Sequence, residues 1–262
     1  ASEVIQSHHL STVCEDARCP NLGECWSNRN VSFMIGGDYC TRRCSFCSVE
    51  TKLPTPIDPD EPERLARGIA ELGLSYVVVT SPARDDLADE GAGQFSACIR
   101  SIRLWAPGVQ VEVLTPDFHA KAALVSQVVG AAPEVFAHNI ETVQRLSTQV
   151  RPQASYETSL ETLKVARSLA PKTVRTKSGL MVGLGEEPQE VIEAMQDLKA
   201  VGCEILTIGQ YLQPTPKQWE VREFVTPEQF EMYREQGLQL GFRHVASGPY
   251  VRSSYNAFEG VR

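Results

Sequence analysis

The 262-residue chain lacks several features that would settle its class at once. No apolar run approaches the roughly 20 residues that a membrane-spanning helix needs. The first residues, ASEVIQSHHL, have neither the basic start nor the apolar centre of a signal peptide; a chain beginning on Ala1 in place of Met reads as trimmed or processed. Excess positive charge is missing too: 25 Lys and Arg stand against 33 Asp and Glu, for a formal charge of −8. That argues against a nucleic-acid binder working through bulk charge, while leaving room for a local basic patch facing an acidic partner. Low-complexity segments and internal repeats are absent. So is a disulfide framework, because six of the eight cysteines fall in two tight groups within the first 47 residues. A chain of this length without a secretion signal needs no disulfide staples, so the grouping reads as metal ligation in a reducing compartment such as the cytoplasm. The two outlying cysteines, Cys98 on an apolar helical face and Cys203 heading CEILTIG, read as buried small hydrophobes.

What the chain does have is a regular alternation. Strands are predicted over 31–37, 74–81, 109–115, 134–139, 173–185 and 203–211. Between them lie amphipathic segments: one carries Leu65, Ile69 and Leu72 and ends at Gly73, and another carries Val191, Ile192, Met195 and Leu198 and ends at Gly202. SLETLKVARSLAP and GAGQFSACIRSIRLWAP are also helical, each closed by a proline. A late helix over 226–242 has Thr226 as N-cap and Pro227 in its first turn. Short connections between six strand–helix units imply a parallel sheet. Eight units would close a barrel; six predict an α/β fold of the open, partial (β/α)6 TIM-like kind, with a doubly wound sheet as the alternative. Residues 1–30 and 247–262 lie outside the alternation and are predicted to pack as extensions on a barrel spanning 31–246.

The chemistry concentrates in CTRRCSFC. Cys40, Cys44 and Cys47 are spaced C-x3-C-x2-C with no local fourth cysteine. A structural zinc site wants four closed ligands. Three thiolates on a four-iron cubane instead leave one iron open to the nitrogen and oxygen donors of a substrate or cofactor. The motif resembles that of radical S-adenosylmethionine enzymes, whose partial barrels match the alternation. The resemblance implies that the open iron chelates the amino and carboxylate groups of S-adenosylmethionine. An electron from the cluster then splits the sulfonium to give a 5′-deoxyadenosyl radical, with Phe46 flanking the adenine. The cofactor carries the radical chemistry; ligation and orientation fall to the protein.

The other group, CEDARCPNLGEC, places Cys14, Cys19 and Cys25 at C-x4-C-x5-C, and the tail carries GPYVRSSYNA. Together with TSPARDDLADEGAGQF, HNIETV and KSGLMVGLGE, these motifs resemble the lipoyl synthase family nearly end to end. One departure is SPARDD where the family pattern has SVxRDD, so Pro82 stiffens that loop. The resemblance implies sulfur insertion at carbons 6 and 8 of an octanoyl chain. That chain is amide-linked to a lysine of a lipoyl carrier domain, in a 2-oxoacid dehydrogenase E2 or a glycine cleavage H protein. It also implies two [4Fe-4S] clusters, two S-adenosylmethionine molecules and an electron donor such as ferredoxin or flavodoxin. Nucleic acid and membrane are not expected partners. Cys14, Cys19 and Cys25 would hold the auxiliary cluster, whose sulfides the family consumes. Ser254 matches the serine that supplies the fourth ligand, with Ser253 as the adjacent alternative. A serine oxygen is hard for iron–sulfur chemistry, which prefers softer donors, and suits an iron that must be released. The plain alternative is a serine satisfied by backbone hydrogen bonds.

Other candidates follow from position at the carboxyl ends of strands. Thr80, Ser81, Arg84 and Asp85 follow the second strand, and Asn139 and Glu141 the fourth. The last two have the amide and carboxylate suited to ribose hydroxyls or an amino group, with helix capping and a first-turn dipole role as the alternative. Arg151, Lys177 and Arg252 would meet carboxylates or sit in surface ion pairs. MVGLGE lacks the Lys-Ser/Thr of a phosphate loop and reads as close backbone approach to the adenine. His8, His9, His119, His138 and His244 share no metal-ligand spacing. Two other functions compete. Another sulfur-inserting or methylthiolating radical enzyme would share the first triad but not its pairing with C-x4-C-x5-C and RSSY. A two-cluster electron carrier would gain nothing from incomplete cysteine ligation.

Overall fold

A short strand β1 (Ser11–Thr12) and seven longer ones follow each other around one sheet in chain order. They are β2 (Ser32–Met34), β3 (Tyr76–Thr80), β4 (Gln110–Leu114), β5 (Val135–Ala137), β6 (Arg175–Val182), β7 (Ile205–Gln210) and β8 (His244–Gly248). The computed structural model describes residues 2–16, 19, 21–27 and 30–261, with Glu15 and Asp16 as backbone only. β1 runs antiparallel to β2, every later pair is parallel, and β1 and β8 form the two edges. Parallel neighbours demand crossovers, and helices at Glu61–Leu72, Ala92–Trp105, Ala122–Val129, Tyr156–Leu169, Pro188–Ala200 and Pro227–Gln239 supply them. The expected open α/β barrel is borne out, with one correction: seven parallel strands stand where six were expected. The extra one, β8, is half exposed along most of its length, so HVASG shows neither an apolar run nor a clean alternation. Gly73 caps the helix Glu61–Leu72, and Thr226 accepts a hydrogen bond from the Gln229 N–H, as the sequence predicts.

Successive strand residues point to opposite faces, and here the two faces meet different partners. Val77, Val79, Val111, Val113 and Phe136 pack outward against Leu65, Ile69, Phe95 and Ile99 of the helices. Val182, Leu206 and Ile208 do the same against Val191, Met195 and Leu198. Cys98 and Cys203 are fully buried, as expected. The inward face is filled by the chain's own end: the 3-10 helix Ala257–Val261 packs on Tyr76, Val78 and Leu114, and on Val135, Ala137 and Ile205. Among the described residues no helix is long and apolar enough to cross a membrane.

Candidate active site

The loop carrying Cys40, Cys44 and Cys47 leaves β2 and is pinned from three sides. The Arg42 N–H donates to Cys40 Sγ at 3.3 Å. The Ser45 N–H donates to the Val150 carbonyl at 2.9 Å and the Trp219 N–H to the Ser45 carbonyl at 2.7 Å. The third tether is the Arg42 side chain, which bridges two carboxylates. Its Nε and Nη2 donate to Asp85 at 2.9 and 2.8 Å, and its Nη1 and Nη2 to Asp117 at 2.6 and 2.8 Å. Burial alone would raise the Asp117 carboxyl, but the Arg42 guanidinium holds it well below the usual carboxylate range. Thr41 adds a hydroxyl bond to Asp85 at 2.9 Å. The RDD loop thus supports the cysteine loop. Arg84, nearly fully buried, donates to the carbonyls of Gly36 and Thr55 and pairs with Asp86.

Burial pushes the Cys44 thiol up to about 12, with Cys47 and Cys40 adding to the shift and Arg151 opposing it. Cys47 is pushed up to about 11, again by burial first. Thiols such as Cys44 and Cys47 that resist ionisation this strongly become thiolates when a metal centre takes their charge. The second triad repeats the pattern. Burial raises Cys14, and it raises Cys25 to about 11, each with help from neighbouring cysteines.

Ser254 joins that second triad in space, lining a small cavity with Cys14, Cys19, Cys25, Arg252 and Tyr255. Sequence neighbours do not bring it there; the tail is tied down by Asn21 Nδ2 donating to the Tyr250 carbonyl at 2.6 Å and by the Tyr255 hydroxyl on Glu24 at 3.0 Å. Cys14, Cys19 and Ser254 also line a larger cavity of about 460 Å³ at the carboxyl ends of the strands, together with Cys47, Phe46, Thr80, Asn139 and Glu141. Both triads therefore border one chamber.

The spacing of the thiols separates two kinds of metal. A tetrahedral zinc ion draws its thiolates to about 2.3 Å from one point, whereas a cubane seats each on its own iron. Among the described residues the one set of three side chains converging as a single ion requires is Asp85, Glu90 and His119; neither cysteine triad does so. Arg42 and Lys121 already pair with that set's carboxylates, so its charge is balanced within the protein. The cysteines fit cubane clusters better than zinc.

Glu141 holds a left-handed backbone, φ +66°, which costs a non-glycine residue about 1–3 kcal/mol and persists where the surroundings impose it. Its N–H donates to the Gly179 carbonyl at 3.1 Å, and its carbonyl accepts from the Met181 N–H at 2.9 Å. The part of Glu141 left accessible faces the chamber, and burial pushes its carboxyl up against the opposing pull of Arg151 and Asn139. Asn139 caps no helix: its Nδ2 donates to Ser253 Oγ at 2.7 Å, while its buried Oδ1 has no partner. A partnerless acceptor beside a carboxylate calls for a ligand rich in hydroxyl or ammonium donors, which the ribose and amine of S-adenosylmethionine would supply.

Not every predicted residue reaches the chamber. Thr80 lines it, with its hydroxyl donated to the Leu114 carbonyl at 2.8 Å. Ser81 lies off the wall with a buried, unpartnered hydroxyl. Arg151 and Lys177 are not surface ion-pair residues: both are buried, Arg151 donating to the Ile140 carbonyl and Ser159, and Lys177 to Glu112. Arg252 is half-buried and donates to the Val251 carbonyl at 2.7 Å. Gly183 of MVGLGE serves the protein itself, since a Cβ there would collide with Gln210 and the Glu223 carbonyl. Sequence reasoning missed Arg42, Asp117, Tyr76 and Glu112. For Glu112 the signal was present, as one charge inside the apolar strand VQVEVLT.

An open parallel barrel with a C-x3-C-x2-C loop at its mouth defines the radical S-adenosylmethionine superfamily, and residues 34–198 match that superfamily. Solved structures share the fold. Methylornithine synthase superposes with a TM-score of 0.61 at 13% identity, over 86% of this chain and 75% of that one. Streptococcus suis SuiB bound to S-adenosylmethionine gives 0.65 at 12% identity, over 90% and 56%. Among curated proteins, the chain is 52% identical to a lipoyl synthase of Bacteroides fragilis, over 99% of this chain and 89% of that protein. It is 54% identical to that of Caldanaerobacter subterraneus subsp. tengcongensis, over 96% and 88%. The chain belongs to the lipoyl synthase family, sulfur-inserting radical enzymes that work with S-adenosylmethionine and a [4Fe-4S] cluster.

Proposed function

We propose that the chain inserts two sulfur atoms at carbons 6 and 8 of an octanoyl group held on a lipoyl carrier domain, using two [4Fe-4S] sites that face one chamber. The observation that carries this reading is the meeting of Ser254 with Cys14, Cys19 and Cys25 on a small cavity that shares Cys14, Cys19 and Ser254 with the larger one that Cys47, Asn139 and Glu141 line. When loaded, the two clusters and S-adenosylmethionine supply a carbon radical able to take hydrogen from unactivated C–H bonds and the sulfur that replaces it. The chain's own tasks are ligation and orientation. Cys40, Cys44 and Cys47 hold the first cluster, and Cys14, Cys19, Cys25 and Ser254 the second. Asn139 and Glu141 receive the donors of S-adenosylmethionine, Phe46 and Thr80 flank it, and Ser81 supports it from behind the wall. Val78, Leu114, Leu180 and Leu212 give the chamber the apolar surface an eight-carbon chain needs. Residues 1–30 and 247–262 act together as the second cluster's frame on the barrel of 31–246. The carrier is a 2-oxoacid dehydrogenase E2 or glycine cleavage H protein domain, and the electron donor a ferredoxin or flavodoxin in a reducing, cytoplasmic compartment.

The test is anaerobic turnover of an octanoyl-lysine peptide by protein whose clusters carry a heavy sulfur isotope, with unlabelled sulfide in solution. First-turnover product should hold two heavy sulfurs. Two light ones would leave Cys14, Cys19 and Cys25 with a structural or electron-relay cluster only.

A further inference from the structure

Three inward-facing polar residues lie below the chamber, where a barrel interior is normally apolar. Lys177 on β6 is 1% exposed and Glu112 on β4 fully buried. The Lys177 ammonium donates to both Glu112 oxygens, at 2.7 and 3.0 Å, and its third proton goes to the Ser253 carbonyl at 2.6 Å. The Tyr76 hydroxyl donates to Glu112 at 2.6 Å. All three ammonium donors are thus used, and one leaves the sheet to reach the tail at the residue before Ser254. A second fit lies on the neighbouring strand. A Cβ at Gly209 of β7 would sit 2.1 Å from the Val251 carbonyl oxygen, so the tail backbone occupies the space a side chain would fill.

We propose that Lys177, held by Glu112, and the gap at Gly209 form a seat that fixes the tail in register, making Lys177 a positioning residue for Ser254 at the second cysteine triad. A buried cation needs a buried anion, and Glu112 supplies it. The two carboxylate bonds leave the ammonium one free direction, toward the tail, while Tyr76 helps hold the carboxylate in place. The Ser253 carbonyl is held by Lys177 while its hydroxyl accepts from Asn139, so the residue that leads into Ser254 is fixed through both its backbone and its side chain. The part played by Ser254 rests on the function proposed above; the seating of the tail does not.

The experiment compares the anaerobically reconstituted parent chain with Lys177→Met/Glu112→Gln, which removes both charges together and leaves no uncompensated ion. Loss of one hydrogen bond to a charged group should speed amide exchange across 250–255 by about tenfold to a hundredfold. Sulfur insertion should fall at least tenfold while cleavage of S-adenosylmethionine stays within about twofold, a split that general destabilisation would not produce. Gly209→Ala keeps the ion pair, displaces Val251 and should open the same amides, which covers the case of a double variant that does not fold. Parental tail exchange in a folded variant of either kind overturns the proposal. Accelerated exchange with parental sulfur insertion keeps the seat but removes Ser254 as its purpose, which separates this inference from the cluster assignment.

Discussion

Replacing Arg42 by Met should destabilise the chain by an amount the geometry sets. The guanidinium is 6% exposed and shares four hydrogen bonds between Asp85, 29% exposed, and Asp117, 2% exposed. The Asp85 arm is screened by solvent and contributes about 0.2–1 kcal/mol. The Asp117 arm dominates, because the variant leaves a buried carboxylate with only the His119 N–H, at 3.0 Å, from its present set. Stranding one member of a buried pair costs about 3–5 kcal/mol. For a chain of this size 1 kcal/mol moves Tm by about 2–4 °C, so the variant should melt about 6–20 °C lower. The assay is thermal unfolding of reduced, cluster-free protein at neutral pH, followed by far-ultraviolet circular dichroism. Arg42→Met/Asp117→Asn should recover at least half the loss, because no buried charge remains to be stranded. A single variant within 1–2 °C of parent, or a double variant that loses the sum of the two singles, would refute the bridge as an energetic element.

His138 gives a pH dependence. Burial, with the Arg151 charge adding to it, lowers its pKa to about 4, so it sits neutral between the Thr115 carbonyl and the Ser159 hydroxyl. The unfolded chain takes up that proton near 6.5 and the folded chain only near 4, so this contribution is full above about 6.5 and falls with pH to about 4, by up to about 3 kcal/mol. Denaturant titrations across that range should show the slope, and His138→Gln should flatten it; an unchanged slope refutes the assignment. Ser254→Ala should retain S-adenosylmethionine cleavage and slow sulfur insertion, and Ser254→Cys should also lower product by holding its iron more firmly. Parental product yield from both variants would remove Ser254 from the site.

The barrel was legible because Val, Ile and Leu runs alternate with amphipathic segments, which is how strands buried on two faces must read. β8 was not, since an edge strand with one buried residue has no pattern to see. The cysteine spacings disclosed both triads, but no local rule could bring Ser254 to Cys14; that juxtaposition depends on tertiary contacts at Asn21 and Glu24. Lys177 and Glu112 lie 65 positions apart, so each alone resembles a surface charge, and only strand order reveals the pair. Gly183 misled for a related reason: a glycine marks a close approach without saying what approaches.

The bond between Tyr255 and Glu24 joins residues 231 positions apart. Synthesis runs from the amino end, so Cys14, Cys19 and Cys25 leave the ribosome well before Ser254, which lines the small cavity with them. The Cys40–Cys47 loop needs Arg42, Asp117, Val150 and Trp219 to be pinned, all of which emerge before the tail. Chain polarity therefore imposes a schedule: a nascent chain has the Cys40–Cys47 loop framed while the cavity at Cys14, Cys19 and Cys25 still stands open. A chain cut before Tyr250 would keep the bonds that pin the Cys40–Cys47 loop and lose the Ser254 wall of the cavity at Cys14, Cys19 and Cys25.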